Sequence, residues 1–255
     1  PFTWLRDDEK PTEQNKKQIF EAVDKSLERL QTDYIDLYQL HWPDRPMSLF
    51  GGSINYQHVE GDANSIESIL GALSELIKIG KIRNIGLSNE TPWGTMEFIH
   101  QSKDKDLPKM QSIQNAYNLL NRIFEFGGSE IAFRESVGLL AYSPLAQGYL
   151  TGKYQNGNLP KGSRKELFDR LQRYEGVGSE EAIESYLNIA KKYNVDPSQL
   201  ANQFVTTRPF VTSNIIGATS MEQLKLAVTS IEVNLTEEIE NDIEKAFQKH
   251  GNVAS

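Results

Sequence analysis

An α/β fold on a parallel sheet is what this sequence predicts, and three observations carry the prediction. Strand-like and helix-like segments alternate along the chain, the helix-like ones open on capping residues, and the strand-like ones end in polar side chains. Such alternation is the pattern of crossover-connected parallel strands. Thr12 opens a first helix with Ile19, Phe20, Val23, Leu27 and Leu30 on one face. "YIDLYQLHW" (34–42) then reads as a strand, with Ile35, Leu37, Gln39 and His41 on one side and Tyr34, Asp36, Tyr38 and Leu40 on the other. In "NSIESILGALSELIKIGK", Ile66, Ile69, Leu70, Leu73, Leu76 and Ile77 form one stripe, Asn64 and Glu67 a capping-box start, and Gly80 a stop.

"RNIGLSN" (83–89) is the second strand, and Thr91 before Pro92 caps the helix after it. "MQSIQNAYN" (110–118) and "GLLAYSPL" (138–145) are the third and fourth strands. From Ala146 to about Gly178 the chain is irregular and rich in Gly, Lys and Arg, a length that usually signals function or disorder. Asp196 before Pro197 starts another helix, and "SNIIGAT" (213–219) is the fifth strand. Ser220 and Gln223 make a capping box for a helix with Leu224, Ala227, Val228 and Ile231 inward. Thr236 opens the last helix, with Glu237 and Glu238 where the dipole favours acid.

Five strands can be placed, whereas a complete (β/α)8 TIM barrel has eight. Two architectures fit: an open doubly wound sheet, or a single barrel domain over 1–255 that lacks about three βα units before Pro1. The barrel is the expectation, because the chain starts in mid-loop with no strand ahead of its first helix, and its 255 residues are near the usual barrel size. A net charge of −8 argues against unspecific nucleic-acid binding and against an anionic membrane surface. The absence of cysteine excludes disulfides, thiol catalysis and thiolate metal sites, and fits a cytoplasmic location. No apolar run reaches the ~18–20 residues that span a bilayer, so a soluble protein is expected. Spaced metal ligands, Gly-rich nucleotide loops and serine elbows are also missing from the sequence.

Chemistry is therefore expected at the strand ends. In parallel barrels the C-terminal ends of the strands form the active face, which aims His41 at a substrate. Asp36 more simply pairs with a neighbouring element. Ser88 and Asn89, Gln114 and Asn115, and Tyr142 and Ser143 end the next three strands. Together they suit a neutral, amide-bearing aromatic ligand, with Tyr142 stacking and the amides and hydroxyl bonding a carboxamide. Gly217, leading to the helix capped at Ser220, would let a phosphate approach exposed N–H groups. Lys153 and Arg164 in the long insertion could clamp phosphates.

The segments "SLERLQTDYIDLYQLHWPDR", "GKIRNIGLSNE", "IQNAYNLLNR", "LLAYSPLAQGYLTGKY" and "IIGATSMEQL" resemble the aldo-keto reductase superfamily, in the branch of Tas-like proteins and potassium-channel beta subunits. The resemblance implies an (α/β)8 barrel that reduces aldehydes and ketones with NADPH. It makes His41 the histidine that polarises the carbonyl oxygen, Ser88, Asn89 and Gln114 the carboxamide contacts, and Tyr142 the ring stacked on nicotinamide. Ser143, Pro144, Leu145, Gln147, Gly148 and Lys153 fall on the loop over the pyrophosphate. Arg164, Gly217, Thr219 and Gln223 fall at the adenosine 2′-phosphate end. Leu226 and Ala227 stand where relatives often carry polar residues near adenine, which implies weaker dinucleotide binding. The family's proton-donating tyrosine, lysine and aspartate precede the region that Pro1 begins, so the 255 residues alone are expected to be inactive. A regulatory, redox-sensing barrel with little turnover is the alternative. His41 favours the enzyme, because the channel subunits tend to carry asparagine there. Substrate choice is expected from the loop 45–65 in the neighbourhood of Trp42, Phe50 and Tyr56, and the partner from a small carbonyl compound.

Overall fold

The computed structural model describes residues 14–47, 61, 63–168 and 172–254. Thr12, Phe50, Tyr56 and His58 lie outside the described residues. By internal contacts the chain forms two compact units, Pro1–Gln114 with Ile131–Gly138, and Asn115–Glu130 with Leu139–Ser255.

The first unit begins with α1 (Lys16–Leu30), β1 (Ile35–Gln39), α2 (Ile66–Lys78), β2 (Ile82–Ser88), α3 (Pro92–Asp104) and most of β3 (Met110–Ala116). Its three strands are parallel neighbours: Ile35 pairs with Ile82 and Gln39 with Gly86, while Ile85 pairs with Met110 and Ser88 with Gln114. That register steps the strand ends by two residues each: Gln39 ends β1 opposite Gly86, two before Ser88, and Ser88 ends β2 opposite Gln114, two before Ala116. Ile19, Val23 and Leu27 of α1 are buried, as are Ile69, Leu70, Leu73 and Leu76 of α2 and Ile82, Ile85 and Leu87 of β2. Each large aliphatic enclosed in this way stabilises the fold by about 1.5–3 kcal/mol. Leu30, read as part of the α1 stripe, is instead 63% exposed, beyond the last buried turn.

Two caps differ from the sequence reading. Asn15 caps α1, its side chain accepting from the Gln18 N–H at 2.9 Å. Ser65, not Asn64, caps α2 by accepting from the Ser68 N–H at 3.1 Å. Asn64 is taken by a distant partner: its N–H and amide both donate to the Asp44 carboxylate, at 3.2 and 2.7 Å. Thr91, Asp196 and Thr236 cap α3, α7 and α9 as expected, in each case accepting from backbone N–H groups of the first turn.

Further along come α4 (Gly128–Glu135), β4 (Gly138–Tyr142), α5 (Arg164–Leu167), α6 (Ser179–Lys192), α7 (Pro197–Thr206), β5 (Val211–Ile215), α8 (Met221–Thr229) and α9 (Glu237–His250). In the second unit β4 and β5 are parallel, with Leu139 opposite Val211 and Tyr142 opposite Ile215. All five strands are thus members of parallel pairs, the α/β class the sequence predicts. The strands are shorter than read: β1 stops at Gln39, β3 at Ala116, β4 at Tyr142 and β5 at Ile215. Gly217 and Thr219 consequently lie past β5, in a segment of small residues with weak strand preference.

α8 corrects a second expectation. Ser220 accepts from the Gln223 N–H at 3.2 Å, but Gln223 returns its amide oxygen to Thr219 N rather than to the cap residue. Its apolar stripe is not inward: Leu224, Val228 and Ile231 are 38, 55 and 67% exposed. α8 contacts α7 and the turn at Ser230–Glu232, and that packing covers a different edge of the helix. In the insertion, the described residues 146–168 and 172–178 form short 3-10 turns and α5 over a buried aromatic group of Tyr149, Tyr154 and Tyr174. Lys165 lies over the rings of Tyr149 and Tyr154 and pairs with Glu175 at 2.6 Å. Glu175 also accepts from the Tyr149 hydroxyl, and burial reinforced by that carboxylate pushes the Tyr149 phenol up to about 12.

Candidate active site

In the first unit the structure brings His41, Ser88, Asn89 and Gln114 together at the ends of β1, β2 and β3. The last ladder bond of β1 runs from Leu40 N to Gly86 O at 2.9 Å, so His41 is the first residue past the regular sheet. Asn89 reaches back to hold it: its Nδ2 donates to the His41 carbonyl at 2.8 Å and to Ser88 Oγ at 3.2 Å. A left-handed backbone at Asn89 (φ 55°) turns the amide that way, a conformation asparagine tolerates better than most residues. Ser88 Oγ in turn donates to the Gln114 carbonyl at 2.7 Å, and Asn89 N donates to the same oxygen at 3.0 Å. The three strand ends are stitched to one another by the very groups the sequence singles out.

His41 is exposed, yet its ring stacks on Trp42 with centroids 5.0 Å apart. Desolvation on its covered side holds the imidazole below the ordinary value of 6.5. The neutral ring therefore persists further into acid than in a free histidine, with one nitrogen able to donate.

Gln39 belongs to the same cluster and was placed on the face of His41 without being given a role. Its Oε1 accepts from Gln114 Nε2 at 3.0 Å, and its Nε2 donates to Leu87 O at 3.3 Å. Gly86 is where its stem passes: a Cβ there would meet Gln39 Cγ at 3.2 Å and Ser112 Oγ at 2.8 Å. Asp36 points away from this cluster and pairs with Arg83 at 2.6 Å, with the guanidinium 3.6 Å from the Tyr34 ring centroid.

In the second unit Tyr142 ends β4 half-buried; burial raises its phenol pKa, and the Arg173 guanidinium beside it acts in the opposite sense. Arg173 is a residue that sequence reasoning missed, since nothing in its local sequence marks it. Past Tyr142 the backbone turns left-handed at Ser143 (φ 57°), Ala146 (φ 47°), Gln147 (φ 57°) and Gly148 (φ 104°). Three of these are not glycine, and such strain clusters where a loop must present its N–H groups to a ligand. Asn118 fixes the loop by donating to the Ser143 carbonyl at 2.9 Å. Gln147 Oε1 is buried without a hydrogen-bond partner among the described residues. Lys153 crosses Gly148: a Cβ there would fall 2.8 Å from Lys153 Cε and 3.0 Å from its Nζ. Glycine at 148 is thus favoured by its conformation, and the loop and its cation share one spot.

Pro144 and Leu145 lie within the same turn, where the Leu145 carbonyl accepts from Gly148 N at 2.8 Å. Gly217 follows β5 two residues after Ile215, the register partner of Tyr142. Thr219 donates to Gln223 Oε1 through its N–H at 2.9 Å and its hydroxyl at 3.1 Å, and both residues are exposed. Arg164 opens α5 and is exposed; among the described contacts none joins it to Thr219 or Gln223. Leu226 and Ala227 are half-buried on α8. Among the described residues no helix is long and apolar enough to cross a membrane.

The model of the aldo/keto reductase family matches residues 3–247. Protein tas of Escherichia coli K12 is 47% identical over 235 residues, which cover 92% of this chain and 68% of that protein. An aldo-keto reductase of Babesia bovis is 39% identical over 97% of this chain and 92% of its own length. The L-glyceraldehyde 3-phosphate reductase of E. coli K12 is 28% identical over 87% of this chain and 60% of the relative. The chain belongs to the aldo/keto reductase family of oxidoreductases.

Proposed function

We propose that the intact protein reduces a small aldehyde or ketone to the alcohol with NADPH. The observation that carries the reading is the cluster of His41, Ser88, Asn89 and Gln114 at the ends of three neighbouring strands, supported by the family membership. The residues present suit a dinucleotide: the left-handed turn Ser143–Gly148 and Lys153 across Gly148 make a cradle of N–H donors and a cation for a pyrophosphate. When bound, NADPH supplies the hydride that reduces the carbonyl carbon. The alcohol oxygen would take its proton from the tyrosine that the family resemblance implies, and this chain's own residues bind and orient the reactants. His41, neutral and held through its carbonyl by Asn89, donates a hydrogen bond to the substrate oxygen, where negative charge grows during reduction. Ser88, Asn89 and Gln114 hold the carboxamide and Tyr142 stacks on the nicotinamide, which fixes the reacting face. Ser143, Pro144, Leu145, Gln147, Gly148 and Lys153 hold the pyrophosphate. Arg164, Gly217, Thr219 and Gln223 hold the 2′-phosphate end, which selects NADPH over NADH.

The family match runs without a break through residues of both units, which supports a single domain. The phosphorylated substrate named for the E. coli relative makes a small, polar aldehyde the first compound to assay. A cytoplasmic location accords with the NADPH requirement and the cysteine-free sequence.

His41→Ala tests the reading. With a small aldehyde and saturating NADPH, turnover should fall by about 10²–10³-fold, the usual cost of losing one hydrogen-bond donor to a developing oxyanion. NADPH affinity, measured by fluorescence titration, should stay the same. Unchanged turnover would remove His41 from the chemistry.

A further inference from the structure

We propose that Arg45 and Glu90 are positioning residues that set where the His41 imidazole stands, an inference that rests on the role given to His41 above. The need for such a pair follows from where the sheet stops. Among the described residues no ladder bond holds the chain beyond Leu40–Gly86, yet His41 must keep its place to a fraction of an ångström for a hydrogen bond to a reacting oxygen to count. Side chains must therefore anchor the segment 41–45.

Four anchors are visible. The Asn89 amide takes the His41 carbonyl. Gln14 Nε2 donates to the Trp42 carbonyl. Asp44 is bound by Gln14 N at 3.0 Å and by Asn64. Arg45 closes the set with a fork onto Glu90, Nη1 to Oε2 at 3.0 Å and Nη2 to Oε1 at 2.5 Å. The fork is the strongest of the four, because it is bidentate and charge-assisted. It is also the one with its carboxylate fully enclosed, the Glu90 side chain being 2% exposed.

Glu90 directly follows Asn89, so one dipeptide at the end of β2 grips the segment at both ends: Asn89 at His41 and Glu90 at Arg45. The surroundings are built to hold that carboxylate still. Thr91 N donates to Oε1 at 2.7 Å, Thr91 Oγ1 donates to it at 3.2 Å, and Arg45 Nη2 lies 3.0 Å from Thr91 Oγ1. Gly94 leaves the room: a Cβ there would stand 2.2 Å from Glu90 Oε1 and 2.6 Å from Arg45 Nη2. On its open side the guanidinium stacks 5.0 Å from the Trp93 ring centroid. Such investment at one segment end is explained if the segment carries His41.

The experiment compares Arg45→Met, Arg45→Lys, Glu90→Gln and His41→Ala in the protein, with steady-state kinetics on a small aldehyde, NADPH titration, and an NMR titration of the His41 ring. For Arg45→Met, kcat should fall about 10- to 100-fold with NADPH affinity unchanged, and the His41 pKa should climb toward 6.5 as its covered side opens. Arg45→Lys, keeping the charge, should recover part of kcat; Glu90→Gln should lie between. Unchanged kcat in Arg45→Met beside a large loss in His41→Ala overturns the pair and leaves the reading of His41 standing. If His41→Ala keeps full turnover, the proposed function fails, and the NMR titration alone decides the pair: a shifted His41 upholds it and an unmoved one overturns it. Should Arg45→Met fail to fold, Gly94→Ala presses the carboxylate aside without touching His41, and the same losses and the same unchanged result decide.

Discussion

Two arginines, Arg45 in the first unit and Arg122 in the second, meet buried chain with the same chemistry and do different work. Each grips a glutamate with two nitrogens and lies against aromatic rings. Arg122 reaches Glu125 at 2.8 and 2.9 Å and Glu244 at 3.0 Å, with its guanidinium 4.0 Å from the Phe247 ring and 5.5 Å from the Phe204 ring. It is 7% exposed, and its N–H donates to the Asn252 side chain while Leu120 O accepts from Ala254 N. Tyr117, pushed far above the usual phenol range by burial and by the adjacent Glu125, donates to the same carboxylate at 2.5 Å. Everything around Arg122 ties the 117–125 segment to α9 and the chain's end. Arg45 has fewer walls and stands beside a strand end that carries His41. What the comparison teaches is that neighbourhood, not the ion pair, decides whether such a fork serves the fold or a site.

The largest effect should follow from breaking the enclosed fork. Arg122→Met leaves Glu125 and Glu244, 22 and 47% exposed, without their cation; one-sided removal of a fully buried pair costs about 3–5 kcal/mol, and water at these carboxylates brings the expected loss to about 2–3 kcal/mol. Urea denaturation should record that loss, while the folded fraction keeps its NADPH affinity. If Arg122→Met lost affinity as strongly as stability, the division between a fold-serving and a site-serving arginine would break.

Arg164 sharpens the comparison from the other side. It is exposed, at the start of the four-residue α5, and among the described residues no carboxylate pairs with it. A cation left for a ligand should matter to the ligand alone. Arg164→Ala should raise the NADPH Kd about tenfold, near 1.4 kcal/mol, and barely change NADH binding or the urea midpoint. Equal losses for both nucleotides would refute the 2′-phosphate role.

How far the sequence reveals this follows the range of each signal. Thr91 and Asp196 could be read because a cap and the proline after it are adjacent residues. α6 opens on Gly178 in a left-handed conformation with no side-chain cap, so no start signal exists to be read. The cap of α2 slipped by one residue because Asn64 and Ser65 are both competent, and only Asp44, 20 residues away, decides between them. The stripe on α8 shows periodicity, but periodicity carries no information on what lies opposite. In the site, His41, Ser88, Asn89 and Gln114 stood out because each ends a strand. Gln39 and the Arg45–Glu90 fork did not, since their partners lie 75 and 45 residues off and meet only through the parallel register.

The smallest effect belongs to Asp36 and Arg83. They join β1 to β2 just as Arg45 joins the end of β1 to the end of β2, and their 2.6 Å contact is as short as the fork's. Yet both side chains are open to water, 71 and 55% exposed. Water already solvates each charge, so the pair gains little by meeting, and salt screens what remains. Asp36→Asn should therefore leave the urea midpoint, turnover and the His41 titration where they were, at low and at high salt alike. A stability loss approaching that of Arg122→Met would mean that contact distance, not enclosure, sets the worth of these pairs, and the contrast between the two arginines would lose its physical basis.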